Sequence, residues 1–180
     1  LKKNIKMIEV SERLNRLAES ATLAMARMSR ELKAEGHDII SLSLGEPDFD
    51  TPDFIKESAK KAIDDNFSHY TPVSGLLELR EAICTKFKRD NNLDFTPEQI
   101  VTSTGAKQSL ANLCLSLLNP EDEVLLPCPY WVSYAEIIKL AEGVPVEISS
   151  TITSDFKVSA EQIEKAITPK TKLLMFSSPC

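Results

Sequence analysis

Apolar residues follow a helical rhythm in the first half of the chain and come in short alternating bursts in the second. Residues 11–35 predict helix, interrupted near "AESA" and stopped by Gly36. The run "DIISLSL" (38–44) predicts a short strand. "GEPDFDTPD" predicts a loop in which Thr51 caps a helix opening on Pro52. Ile55, Ala59, Ala62 and Ile63 continue that helix on one face. A second loop, "NFSHYTPVSG", leads into a helix carrying Leu76, Leu79, Ile83 and Phe87 on one side.

From residue 99 the pattern alternates. "QIVTS" predicts a strand and "AKQSLANLCLSLL" a helix with a stripe of Leu110, Leu113, Cys114, Leu117 and Leu118. "EVLLP" predicts a strand, "YWVSYAEIIKLA" a helix and "VPVEIS" a strand. "SAEQIEKAI" predicts a helix opening on the capping box Ser159…Gln162, and "KLLMFSS" a last strand. Strands alternating with helices imply βαβ units, hence an α/β fold with a mostly parallel sheet and helices on both faces. Right-handed crossovers gather the strand C-terminal ends on one rim, where such sheets bind ligands. The loops expected there are "TSTGAK", "PCPYW" and "SSPC". With nothing after the last strand to cover it, the sheet reads as incomplete, the first part of a larger domain.

Composition narrows the function. An apolar fraction of 42% and a charged fraction of 27% are those of a globular chain. Twenty-one basic against 27 acidic side chains give a net charge of −6, which disfavours a nucleic-acid partner. No apolar run reaches membrane-spanning length, and "LKKNIKMIEVSERL" lacks the apolar core of a signal peptide. The four cysteines, Cys84, Cys114, Cys128 and Cys180, form no C-x-x-C pair and read as reduced thiols of a cytoplasmic protein.

The candidate chemistry begins at "TSTGAKQSL". It fits neither G-x-G-x-x-G nor the Walker pattern, yet Gly105, Ala106 and Lys107 would open a helix whose N-terminal N–H groups and dipole suit an anion. A plain strand–turn–helix capped by Thr104 explains the same residues. Trp131, the single Trp, follows a strand and could stack on a flat ring or staple helix to sheet. Tyr70, in a loop before Pro72 and Gly75, could meet an anion or simply pack. Gly45 follows a predicted strand, where its N–H could meet a carboxylate or merely form a turn.

Taken in order, "SLGEPDFDTP", "YTPVSGLLELR", "TSTGAKQSL", "PYWVSYAE" and "FSSPC" resemble the fold type I pyridoxal-phosphate aminotransferases, most nearly the class I subgroup b aspartate aminotransferases. The resemblance runs from "SERL" to "SSPC". It implies pyridoxal 5′-phosphate (PLP) as cofactor and makes Gly105, Ala106 and Lys107 its phosphate cradle. Trp131 would stack on the pyridine ring and contact substrate. Tyr70 would reach the phosphate from the neighbouring subunit of a homodimer. Gly45 would meet the substrate α-carboxylate, and Lys107, with Ser20 and Thr22, the distal one. The Schiff-base lysine is expected beyond Cys180, to which no role is assigned.

Residues 1–50 would be the N-terminal arm and part of the small domain, and 51–180 the first part of the large domain. The implied activity moves an amino group from an amino acid, aspartate favoured, to a 2-oxo acid. Alternatives are an aromatic or prephenate aminotransferase, a lyase of the same fold, or a catalytically inactive fragment.

Overall fold

The computed structural model describes residues 9–178. Cys180 lies outside them. The chain forms two compact units, one built from the residues up to Leu44 together with those from Leu110 onward, the other from Gly45–Ser109.

The first unit holds the sheet. Its strands are β1 (Glu123–Pro127), β2 (Val144–Ile148) and β3 (Thr171–Leu174). They run parallel in the order β2-β1-β3. Val124, Leu125 and Leu126 of the central strand are buried on both faces, which is why β1 reads as a continuous apolar run and not an alternating one. On one face Val124 and Leu126 pack with Cys114 of α5 (Ala106–Leu117) and with Tyr134, Ile137 and Ile138 of α6 (Ser133–Leu140). Leu118, just past α5, joins them. The predicted α5 stripe is thus only partly covered, since Leu113 and Leu117 stay exposed. On the other face α7 (Ala160–Ala166) lies against β2. Its capping box forms as the sequence predicts: the Ser159 hydroxyl accepts the Gln162 N–H at 3.2 Å, and Gln162 Oε1 accepts the Ser159 N–H at 3.0 Å.

The same unit carries α1 (Glu12–Asn15) and α2 (Ala21–Ala34), the interrupted helix foreseen near "AESA". Ser20 caps α2 by accepting the Leu23 N–H at 3.4 Å. Gly36, at φ +91°, ends it: the His37 N–H reaches back to the Leu32 carbonyl at 3.0 Å.

The second unit holds α3 (Asp53–Asp64), α4 (Leu77–Asn91) and a 3₁₀ turn at Pro97–Gln99. Pro52, not Thr51, is the cap of α3, its carbonyl accepting the Ile55 N–H at 3.0 Å.

Two predicted strands are absent from the described residues. Residues 38–44 join no ladder and bend at Ser43, with Ile40 and Leu42 exposed. Residues 99–103 leave the 3₁₀ turn without pairing. The turn at Gly105 therefore follows irregular backbone, not a strand. Alternation of apolar residues licenses a strand only where a neighbour can take its N–H groups.

Candidate functional site

In the second unit the turn 102–105 is held by a short set of backbone contacts. The Thr102 N–H donates to the Ser74 carbonyl at 3.0 Å, and the Thr102 hydroxyl does so at 3.3 Å. Gly75 lies against that side chain at φ +98°, and a Cβ there would meet the Thr102 oxygen at 2.0 Å. Arg80 ties the loop down, its Nε donating to the Gly75 carbonyl at 3.2 Å and its Nη1 to the Pro97 carbonyl at 2.8 Å. The sequence marked Gly75 only as a turn residue and did not single out Thr102 or Arg80.

Gly105 itself adopts φ +84°, with no heavy atom within 4 Å of where a Cβ would sit. The expectation of three available N–H groups needs correction. The Gly105 N–H turns back to the Ser103 carbonyl at 2.8 Å, and the Thr104 N–H donates to Gln108 Oε1. Thr104 is therefore held by the Gln108 carboxamide and is not a simple side-chain cap. The Gly105 carbonyl accepts the Gln108 and Ser109 N–H groups and starts α5. Ala106 and Lys107 then open the 12-residue helix at its positive end, both on the surface of the unit. That geometry suits an anion. Tyr70, in the same unit, is fully exposed in its loop, and Gly45 has open space around it.

In the first unit Trp131 lies on the strand C-terminal rim, between β1 and α6, and is 40% exposed. Its ring meets Tyr134 edge-to-face, centroids 5.5 Å apart at 89°. The loop before it is moored to β2 and the residues just after it. The Cys128 N–H donates to the Ile148 carbonyl at 2.9 Å, the Ser150 hydroxyl to the Cys128 carbonyl, and the Tyr130 hydroxyl to Glu147. Burial, then the Glu147 carboxylate, push the Tyr130 phenol up to about 12.

Ser20 and Ala21 share a pocket of about 250 Å³ with Val132, Ser133 and Glu136, beside Trp131 in the chain. Glu136 Oε2 accepts the Ala18 N–H at 2.8 Å and so pins the N-terminal arm to α6. Desolvation raises the Glu136 carboxyl, but the hydrogen bonds from Lys139 and Ala18 outweigh it and hold the group below its ordinary range. Thr22 stands half-buried in the first turn of α2.

The parallel sheet of the first unit, flanked by helices, defines an α/β fold, and comparison with known proteins places it in a family. The profile of the family described as aminotransferase class I and II matches residues 37–180. The chain belongs to that family.

It is 54% identical over 170 residues to a probable aspartate/prephenate aminotransferase of Rickettsia bellii, covering 94% of this chain and 43% of that protein. It is 46% identical to the aspartate aminotransferase of Bacillus subtilis, covering 96% and 44%. The structure of Thermus thermophilus aspartate aminotransferase with maleate superposes with a TM-score of 0.88 at 43% identity, over 93% of this chain and 44% of the other. The fold is therefore the N-terminal part of the aspartate aminotransferase fold, and the chain spans under half the length of these relatives.

Proposed function

We propose that the protein carrying this chain is a PLP-dependent aminotransferase that moves an amino group from an amino acid, aspartate favoured, to a 2-oxo acid. The observation that carries this reading is the N-terminus of α5. Gly105 at φ +84° has no heavy atom within 4 Å of where a Cβ would sit, and it leads directly into the positive end of that helix, which fits the phosphate of such a cofactor. The names of the relatives, aspartate and aspartate/prephenate aminotransferase, support the reaction class.

When bound, PLP supplies the electron sink for exchange of the amino group. The chain's own residues would bind and orient. Ala106 and Lys107 donate to the phosphate, with Gly105 keeping that approach clear. Trp131 offers a partly exposed ring to the pyridine face. Gly45 offers its N–H to the substrate α-carboxylate.

Tyr70, fully exposed in its own unit, would serve the phosphate of a partner subunit, which makes the enzyme a homodimer. Residues 51–180 would form the first part of the large domain. No segment of the 180 residues matches the family's Schiff-base lysine motif. No helix among the described residues is long and apolar enough to cross a membrane, and the reading places the enzyme in the cytoplasm.

The test is a coupled assay of the full-length protein with PLP, aspartate and 2-oxoglutarate, run beside glutamate and prephenate. Oxaloacetate formation that depends on added PLP is the expected result. Amino-acid turnover without oxo-acid acceptor would point instead to a lyase. A specific observation favours prephenate as second acceptor, since the 54%-identical relative is named for both substrates.

A further inference from the structure

Tyr134 is 8% exposed, yet the apolar cluster around it needs only a ring. A phenylalanine would pack with Ile137, Ile138 and Leu126 as well. The hydroxyl therefore has a separate reason, because a buried phenol must find a partner. It finds Ser177, whose Oγ lies 2.6 Å away in the segment following β3. That segment is itself registered on the sheet, the Met175 N–H donating to the Leu125 carbonyl at 3.0 Å. Tyr134 thus joins three pieces of the strand rim: its own helix α6, the segment at 175–177, and the Trp131 ring, which it meets at 89°. The Tyr130 and Ser150 hydrogen bonds moor the preceding loop, whereas the perpendicular contact with Tyr134 is made by the indole itself.

We propose that Tyr134 is a positioning residue: the Tyr134–Ser177 hydrogen bond sets the Tyr134 ring, and that ring sets the plane of Trp131 for stacking. The proposal rests on the reading of Trp131 as the cofactor-stacking residue, and the experiment separates the two.

Full-length protein is labelled with 5-fluorotryptophan, and the Trp131 resonance is assigned by its loss in Trp131→Phe. Fluorine spectra without cofactor and PLP dissociation constants are then compared for Tyr134→Phe, Ser177→Ala and the double variant. Each single variant is expected to move or broaden the Trp131 resonance and to raise the PLP dissociation constant about three- to tenfold, the worth of one hydrogen bond. The double variant is expected to be no worse than either single one, since both break the same bond.

An unchanged Trp131 resonance and unchanged PLP affinity in both single variants would overturn the proposal and leave Tyr134 as core packing. Additive losses in the double variant would overturn it as well. A resonance that responds as expected, while Trp131→Ala binds PLP as tightly as the parent, supports the positioning and sinks the stacking reading instead.

Discussion

Gly75 lies so close to Thr102 that a Cβ on it would meet the Thr102 hydroxyl oxygen at 2.0 Å. Thr102 cannot swing aside without loss, because that hydroxyl and its own N–H both donate to the Ser74 carbonyl. Gly75 is also at φ +98°, which a side chain rarely adopts. Gly75→Ala should therefore lower stability by on the order of 3 kcal/mol, adding backbone strain to overpacking. Urea denaturation checks this, and a midpoint equal to the parent's would show that the 74–75 loop and Thr102 are not in contact.

Gly105→Ala makes an instructive contrast. Its φ is similarly positive, but no atom stands within 4 Å of the added Cβ. Stability should fall by only about 1 kcal/mol. If the cofactor phosphate sits at this helix end, the methyl group crowds its approach, so the dissociation constant for PLP should rise on the order of tenfold. Titration followed by cofactor absorbance reads the affinity, and thermal melting reads the stability.

Arg80 holds two carbonyls, those of Gly75 and Pro97, from one guanidinium. Arg80→Ala should cost about 2 kcal/mol, because it strips charge-assisted donors from both. Arg80→Lys should recover only part of that loss, since an ammonium group cannot span both acceptors as the planar fork does. Melting temperatures of the three proteins decide it.

Much of the first unit was legible in the sequence. β1 and β2 could be read because their apolar runs are bounded by turns, and α7 because the Ser159…Gln162 box is local chemistry. Residues 38–44 and 99–103 have equally apolar runs, yet Ile40 and Leu42 are exposed and no ladder forms among the described residues. A run of side chains does not reveal whether a neighbouring strand will accept it. The turn before α5 was legible through Gly105, but the diversion of its N–H to Ser103 depends on a φ that only the folded turn shows. Arg80 was illegible because its partners are backbone carbonyls 5 and 17 residues away.

Tyr130 makes stability depend on pH at the alkaline end. Its phenol titrates near 10 when unfolded and near about 12 here, raised by burial first and then by Glu147. The folded state holds this proton more tightly. The stabilisation is therefore complete below pH 10 and is lost as pH rises from 10 to 12. Between about pH 9 and about pH 11.5 the parent should lose more stability than Tyr130→Phe, which has no proton to release. Equal slopes for the two proteins would mean that Tyr130 does not face Glu147 in solution.

The central claim is that the N-terminus of α5 holds the cofactor phosphate, and a crystal structure of the full-length protein with PLP tests it most directly. The account predicts phosphate oxygens about 2.7–3.2 Å from the Ala106 and Lys107 nitrogens, with Gly105 still at positive φ. A cofactor phosphate seated on a different element, with the Ala106 N–H turned to a protein acceptor, would contradict it.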